Sequence, residues 1–206
     1  MPKITDIKQQ VKLKTRYSVF IDGKYRFSIS ESGLISSGIR IGSMMSDYEF
    51  DKLLQRAELD GAVSRSLNFL AIRSRSEWEV RHYLQKKGYD LSVITDTITF
   101  LMERNYIDDQ AFARMWIENR RLLKSISKRR LHNELRLKHV AEDIISSTMS
   151  ADDTDDKESL KDLIMRKKQQ TRYKDPVKLT QYLMRQGYSY QDIKVVLQDQ
   201  LDVDNS

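Results

Sequence analysis

From about residue 74 onward the chain repeats itself, and this repetition constrains the fold more than any other feature. Aligning Ser76, Ser127 and Asp175, each suited to cap a helix N-terminus, brings the residues after them into register. Val80, Leu131 and Leu179 coincide, as do Leu84, Leu135 and Leu183 one turn later. Gly88-Tyr89, His139-Val140 and Gly187-Tyr188 come next, then Ile94, Ile145 and Ile193. The caps at 76, 127 and 175 lie 51 and 48 residues apart. Pro176 falls in the first helical position, where proline is favoured. A period near fifty marks a supersecondary unit stacked in tandem.

Each unit reads as a helix, a turn and a second helix, with a third helix following in the first two copies. In the first copy the second helix buries Ile94, Thr97, Ile98 and Leu101. The third starts at Asp108-Asp109 and is expected to bury Phe112, Met115, Trp116 and Leu123. In the second copy the third helix starts near Asp155-Asp156 and buries Leu160, Leu163 and Ile164. Acidic pairs at these starts suit the positive end of a helix dipole. The expected fold is mainly α: tandem three-helix, helix-turn-helix-like repeats in an elongated, curved molecule. The repeats are expected over 61–123, 124–171 and a shorter 172–206.

Residues 1–60 form an extension of different character. Arg16–Ile21 and Lys24–Ile29 flank Asp22-Gly23, a strong signal for a type I′ β-hairpin. That register sets Phe20 against Tyr25 and puts Tyr25, Phe27 and Ile29 on one face, with the first strand extending back through Val11 and Leu13. Glu31–Ser46 is rich in glycine and serine and reads as an irregular connection. Ser46-Asp47-Tyr48-Glu49 is a capping box that opens a helix lasting to about Arg73, with Gly61 as a kink or a break.

Composition narrows the function. Without cysteine there is no disulfide framework, thiolate metal site or cysteine nucleophile. No apolar stretch approaches membrane-spanning length and Met1–Asp6 lacks a signal-peptide run, so a cytoplasmic location is expected. The chain is also expected to be a monomer. His82, His132 and His139 lack metal-ligand spacing, and Gly33, Gly38 and Gly42 form no phosphate loop. No serine lies in a nucleophile-elbow setting. Asp152-Asp153-Thr154-Asp155-Asp156 lacks the glycine and distal glutamate of a calcium loop and reads as a solvated loop with a helix cap. The chain is read as a non-enzyme without cofactor or metal.

Charge is what remains. The net charge of +6 fits a polyanionic partner. Nine bases lie between Arg114 and Lys138 against Glu118 and Glu134. Over 141–160 there are seven acids and one base; over 161–188, eight bases and two acids. The candidate contact residues are Arg114, Arg120, Arg121, Lys124, Lys128, Arg129, Arg130, Asn133, Arg136 and Lys138, with Lys167, Lys168 and Arg172 in the later block. With Leu131 and Leu135 turned inward, helical phasing points Arg129, Asn133 and Arg136 outward together, bordered by His132. Tyr83, Tyr89, Trp78 and Trp116 sit at repeat-register positions and read as core rather than as stacking platforms.

Two stretches, Ser74-Arg75-Ser76-Glu77-Trp78-Glu79-Val80 leading to Leu84–Tyr89, and Asn105-Tyr106-Ile107-Asp108-Asp109-Gln110-Ala111-Phe112-Ala113, resemble the RecX family, regulators of the recombinase RecA. The resemblance covers roughly residues 64 to 200, and the N-terminal portion looks like the extension of Gram-positive members. His139 stands where the family pattern has glycine. The resemblance implies a protein lodged in the groove of the RecA–DNA filament. There it would bridge protomers and inhibit ATP hydrolysis, strand exchange and co-protease activity, so modulating recombination, DNA repair and the SOS response. Single- and double-stranded DNA are direct partners in this reading, and no membrane is. Reversing charge at Arg120, Arg121, Arg129 and Arg136 together is expected to abolish inhibition in a folded protein. The alternative is a helix-turn-helix protein that binds DNA directly.

Overall fold

The computed structural model describes residues 1–204 except Lys12 and Lys124, with side chains through Asp199. The chain is mainly helical with one small antiparallel sheet, and it divides into two compact units, Met1–Ile107 and Asp108–Ser206.

The first unit opens on three strands, β1 (Ile4–Gln9), β2 (Arg16–Ile21) and β3 (Lys24–Ser30), in that order in the sheet. Asp22 and Gly23 both have positive φ, 49° and 78°, as a type I′ turn demands. A separate strand, β1, stands where an extension of β2 through Val11 and Leu13 was expected. The chain turns there instead, Arg16 N donating to Leu13 O, and Val11 is 94% exposed. A shift in register beside Phe20 also separates Tyr25 from Phe27 and Ile29. The two inner residues are buried, while Tyr25 is 56% exposed and meets Phe20 edge-on at 6.0 Å.

A short helix, α1 (Glu31–Ser37), replaces the expected irregular connection. Ser30 caps its start by accepting from Gly33 N, and Gly38 ends it with φ 65°. Asp60 accepts from both Ser30 N (2.8 Å) and Ser30 Oγ, and pairs with Arg16 at 3.2 Å. The next helix, α2 (Asp47–Leu70), starts on the Ser46–Glu49 capping box and passes Gly61 without a break. Its first half lays Leu53 and Ala57 on the sheet core of Ile4, Val19, Ile21, Phe27 and Ile29. Ala62, further along, belongs to a second core with Val80 and Leu84 of α3 (Glu77–Lys86) and Ile94, Ile98 and Leu101 of α4 (Leu91–Glu103).

The second unit repeats this helix triplet twice. Phe112, Ala113 and Ile117 of α5 (Asp109–Leu123) pack on Leu131 and Leu135 of α6 (Lys128–Leu137) and Ile145 of α7 (Glu142–Ser150). Leu160, Leu163 and Ile164 of α8 (Asp156–Lys168) pack on Leu179 and Leu183 of α9 (Pro176–Arg185) and Ile193 of α10 (Tyr190–Asp204). The completing helix therefore precedes each helix pair rather than following it. On α5, Met115 and Leu123 are exposed where burial was expected. The buried stripe runs through Phe112, Ala113 and Ile117 because it faces α6 and α7, the two helices that follow along the chain.

The repeat register is exact in structure. Ser76, Ser127 and Asp175 are all N-caps whose side chains accept from helix amides. The turn residues Gly88, His139 and Gly187 all have positive φ, at 82°, 55° and 96°. Histidine in the second copy occupies the left-handed conformation that glycine adopts freely.

Candidate partner-binding surface

Helix α6 is built with two unlike faces. Ser127 Oγ accepts from Arg130 N and starts the helix, and Leu131 and Leu135 are fully buried. On the opposite side Arg129, Asn133 and Arg136 are all exposed. They recur at helical spacing along one ridge. Among the described residues, none of these three side chains has a hydrogen-bond or ion-pair partner. Arg114, on α5, is exposed and unpaired in the same sense. His132 borders the ridge and is held by Glu142 at 2.7 Å.

Other candidates are occupied inside the unit. Glu134 accepts from Arg120 Nε at 2.7 Å, Trp116 Nε1 at 3.0 Å and Arg130 Nε at 3.2 Å. The Arg120 guanidinium and the Lys138 ammonium also lie over the Trp116 ring, at 4.6 and 5.2 Å. Arg130 further donates to the carbonyl of Arg185 and, at 3.1 Å, to Gln186 Oε1. Arg121 is the most enclosed: it reaches Asp152 at 2.6 Å, Asp156 at 3.4 Å and the Ile126 carbonyl at 2.6 Å. Lys128 donates from its ammonium to the Asp152 carbonyl and from its backbone to Asp156. Arg120 and Arg121 therefore act as internal struts, so the fourfold charge reversal expected to leave the fold intact also removes internal ion pairs and is expected to cost stability.

The acidic run at 152–156 is correspondingly more than a solvated loop. Burial alone would raise the Asp152 pKa. Hydrogen bonds from Thr154 and Arg121 outweigh that and hold the carboxyl below the usual carboxylate range. Asp155 keeps its expected role, capping α8 by accepting from Lys157 N at 2.8 Å. The charge alternation along the sequence is thus partly an internal neutralisation of one block by the next.

In the last block Lys167 lies over Tyr173 and Tyr182, and exposed Arg172 over Tyr173. Lys168 is half-buried. Lys124 lies outside the described residues. Sequence reasoning misses Arg185, which with Arg129 and Asn133 lines a groove of about 600 Å³ beside α9. Its apolar wall is Leu137, 77% exposed, with Met184 and Tyr190. The signal for it is Leu137, an apolar residue two places beyond Leu135 and out of phase with the buried stripe.

Several comparisons bear on this architecture. Residues 2–46 match the regulatory protein RecX N-terminal domain, 62–101 the first RecX three-helix domain and 108–149 the second. The chain is 30% identical over 209 residues to a regulatory protein RecX of Clostridium botulinum (strain Eklund 17B / Type B), covering 98% of each chain. It is 29% identical to that of Bacillus subtilis (strain 168), covering all of this chain and 79% of the relative. With that of Lactobacillus johnsonii it shares 37% over 150 residues, 72% of this chain and 55% of the relative's length. A crystal structure of regulatory protein RecX superposes with a TM-score of 0.70 at 23% identity, covering 96% of this chain and all of the other. RecX from Lactobacillus salivarius gives 0.59 at 20% identity, covering 71% and 97%. These two structures bear on the fold alone.

Proposed function

Because this chain belongs to the RecX family, we propose that it is a non-enzymatic regulator that binds the RecA–DNA filament in its groove, bridges protomers and restrains the recombinase. In this reading it lowers ATP turnover, strand exchange and co-protease activity, and so modulates recombination, repair and the SOS response. The observation that carries the reading is the α6 ridge, where Arg129, Asn133 and Arg136 stand exposed and, among the described residues, without partners, while neighbouring arginines are held internally. Unpaired guanidiniums take carboxylates or phosphates in two-point fashion, and a filament groove offers both. Many modest charged contacts give avidity and a strong dependence on salt. Arg114, Lys138, Lys168 and Arg172 extend the proposed contact set; Lys124 belongs to it by its sequence position.

The test is ATP turnover by RecA on single-stranded DNA, with this protein added after filament assembly. Arg129→Glu with Arg136→Glu is expected to weaken inhibition at least tenfold while the thermal melt stays unchanged, because both side chains are exposed. Unchanged inhibition by the folded variant removes the ridge from the contact surface. A defined footprint on one duplex sequence, obtained without RecA, favours direct DNA binding instead.

A further inference from the structure

Helix α2 gives one apolar stripe to each core of the first unit and keeps a third that neither core takes. Leu53 and Ala57 face the sheet core, and Ala62 the helical one. Leu59 and Val63, four residues apart and both half-buried, pack into neither among the described residues. With Arg56, Ser64 and Leu67 they line a groove of about 610 Å³. The stretch from Arg56 to Leu67 runs about 16 Å along the helix. To this lining α1 adds Ser32, Ser36 and Ser37, and α4 adds Phe100, with Arg104 and Tyr106 just past its end.

The charged side chains in the lining are Arg56, Arg104 and Asp60. Asp60 is already engaged: it accepts from Ser30 N at 2.8 Å and pairs with Arg16 at 3.2 Å. Arg56 is exposed and, among the described residues, makes no hydrogen bond or ion pair. Arg104 lies over the Phe100 ring at 3.8 Å. Its ion pair with Glu103 is 3.8 Å long with both side chains exposed, which contributes little. The groove therefore joins apolar surface to uncompensated positive charge. Its complement is an acidic segment with apolar side chains.

Backbone pairing decides the conformation of that segment. Most of the lining lies in helices, whose amides and carbonyls are bonded internally. The end of β3 beside the groove is closed as well, since Ser30 N donates to Asp60 and Ser28 O accepts from Arg16 at 3.0 Å. An extended peptide would find little with which to pair its own backbone. A helix brings its backbone already paired, and its apolar side chains repeat at the spacing that Leu59, Val63 and Leu67 set. We propose that the groove docks an acidic amphipathic helix of a partner protein, its apolar side chains against Leu59, Val63 and Leu67 and its carboxylates against Arg56 and Arg104. The groove shares no residue with the α6 ridge, so the proposal stands apart from the recombinase-binding reading.

The full chain is titrated into a fluorescein-labelled helical peptide of about fifteen residues, with leucines at i, i+4 and i+7 and glutamates beside them. A second peptide carries lysine in place of glutamate, and a third serine in place of leucine. The wild type is expected to bind the first about tenfold more tightly than either of the others. Arg56→Glu with Arg104→Gln is expected to reverse the preference between the glutamate and lysine peptides, with the circular dichroism spectrum unchanged. Ser36→Tyr, which places a ring in the groove from an exposed position, is expected to weaken the glutamate peptide about tenfold. Absence of binding by the wild type, or binding and preference undisturbed in both folded variants, overturns the groove. Equal binding of the first and third peptides leaves charge alone at work and overturns the apolar docking. Sedimentation at the same concentrations tests the other occupant: self-association that Ser36→Tyr disperses gives the groove to a second copy of the chain and overturns the partner.

Discussion

At residue 187 a β-carbon would lie 2.4 Å from Ser127 Oγ, 2.6 Å from Arg130 Cβ and 3.2 Å from Arg130 N. At residue 88, the equivalent turn of the first repeat, it would meet nothing within 4 Å. Both glycines have positive φ, so alanine at either position incurs a backbone penalty of about 1–2 kcal/mol. Gly88→Ala is expected to cost that amount alone. Gly187→Ala must also push α6 from the α9–α10 turn, where Ser127 N donates to Gln186 O at 3.1 Å, and is expected to cost at least about 2 kcal/mol more. Urea denaturation of the two variants reads the difference; equal losses would mean that the close approach carries no energy. The positive φ at these turns was legible, since glycine recurs in register. The clash was not, because it depends on which module lies against the turn.

The strut at the end of α5 shows what one helix contributes beyond its apolar stripe. Arg121 and Asp152 are both largely buried, and the guanidinium ties α5 to the loop before α8 and to the Ile126 carbonyl. Arg121→Ala would leave Asp152 enclosed with its Thr154 hydrogen bonds but no ion-pair partner, at an expected cost of about 3 kcal/mol. Because the Asp152 pKa is lowered on folding, its contribution is present above the ordinary carboxylate value of 3.8 and is lost as pH falls through the lower folded value. Urea midpoints measured from pH 6 down to 3 are expected to fall less steeply in Arg121→Ala than in the wild type. Parallel curves would remove this carboxylate from the acid response. The outward phase of Arg129 and Arg136 could be read from helical periodicity, since Leu131 and Leu135 fix the inner face. Periodicity could not separate these arginines from Arg121, whose partner lies 31 residues away.

Across the whole chain, the threefold repeat was legible because caps, buried positions and turn residues recur together. Which neighbouring helix completes each core was not. An amphipathic stripe shows that a helix has a partner, but not whether that partner comes before or after it. The arrangement makes α6 depend on segments later in the chain: Ser127 N and Lys128 N are satisfied by Gln186 O and Asp156 Oδ2. Ending the chain at residue 150 is therefore expected to strip hydrogen-exchange protection from the amides of Ser127 and Lys128, while α3 and α4 keep theirs. Full protection of Ser127 and Lys128 in the shortened chain would contradict that dependence.

The two faces of α6 answer to separate demands. Leu131, Leu135 and Glu134 serve the interior, whereas the side chains of Arg129, Asn133 and Arg136 make no hydrogen bond or ion pair among the described residues. The outer side can therefore drift, or be rewritten in the laboratory, at little risk to folding, so a homologue facing a differently charged target needs only a few substitutions along a ten-residue rod.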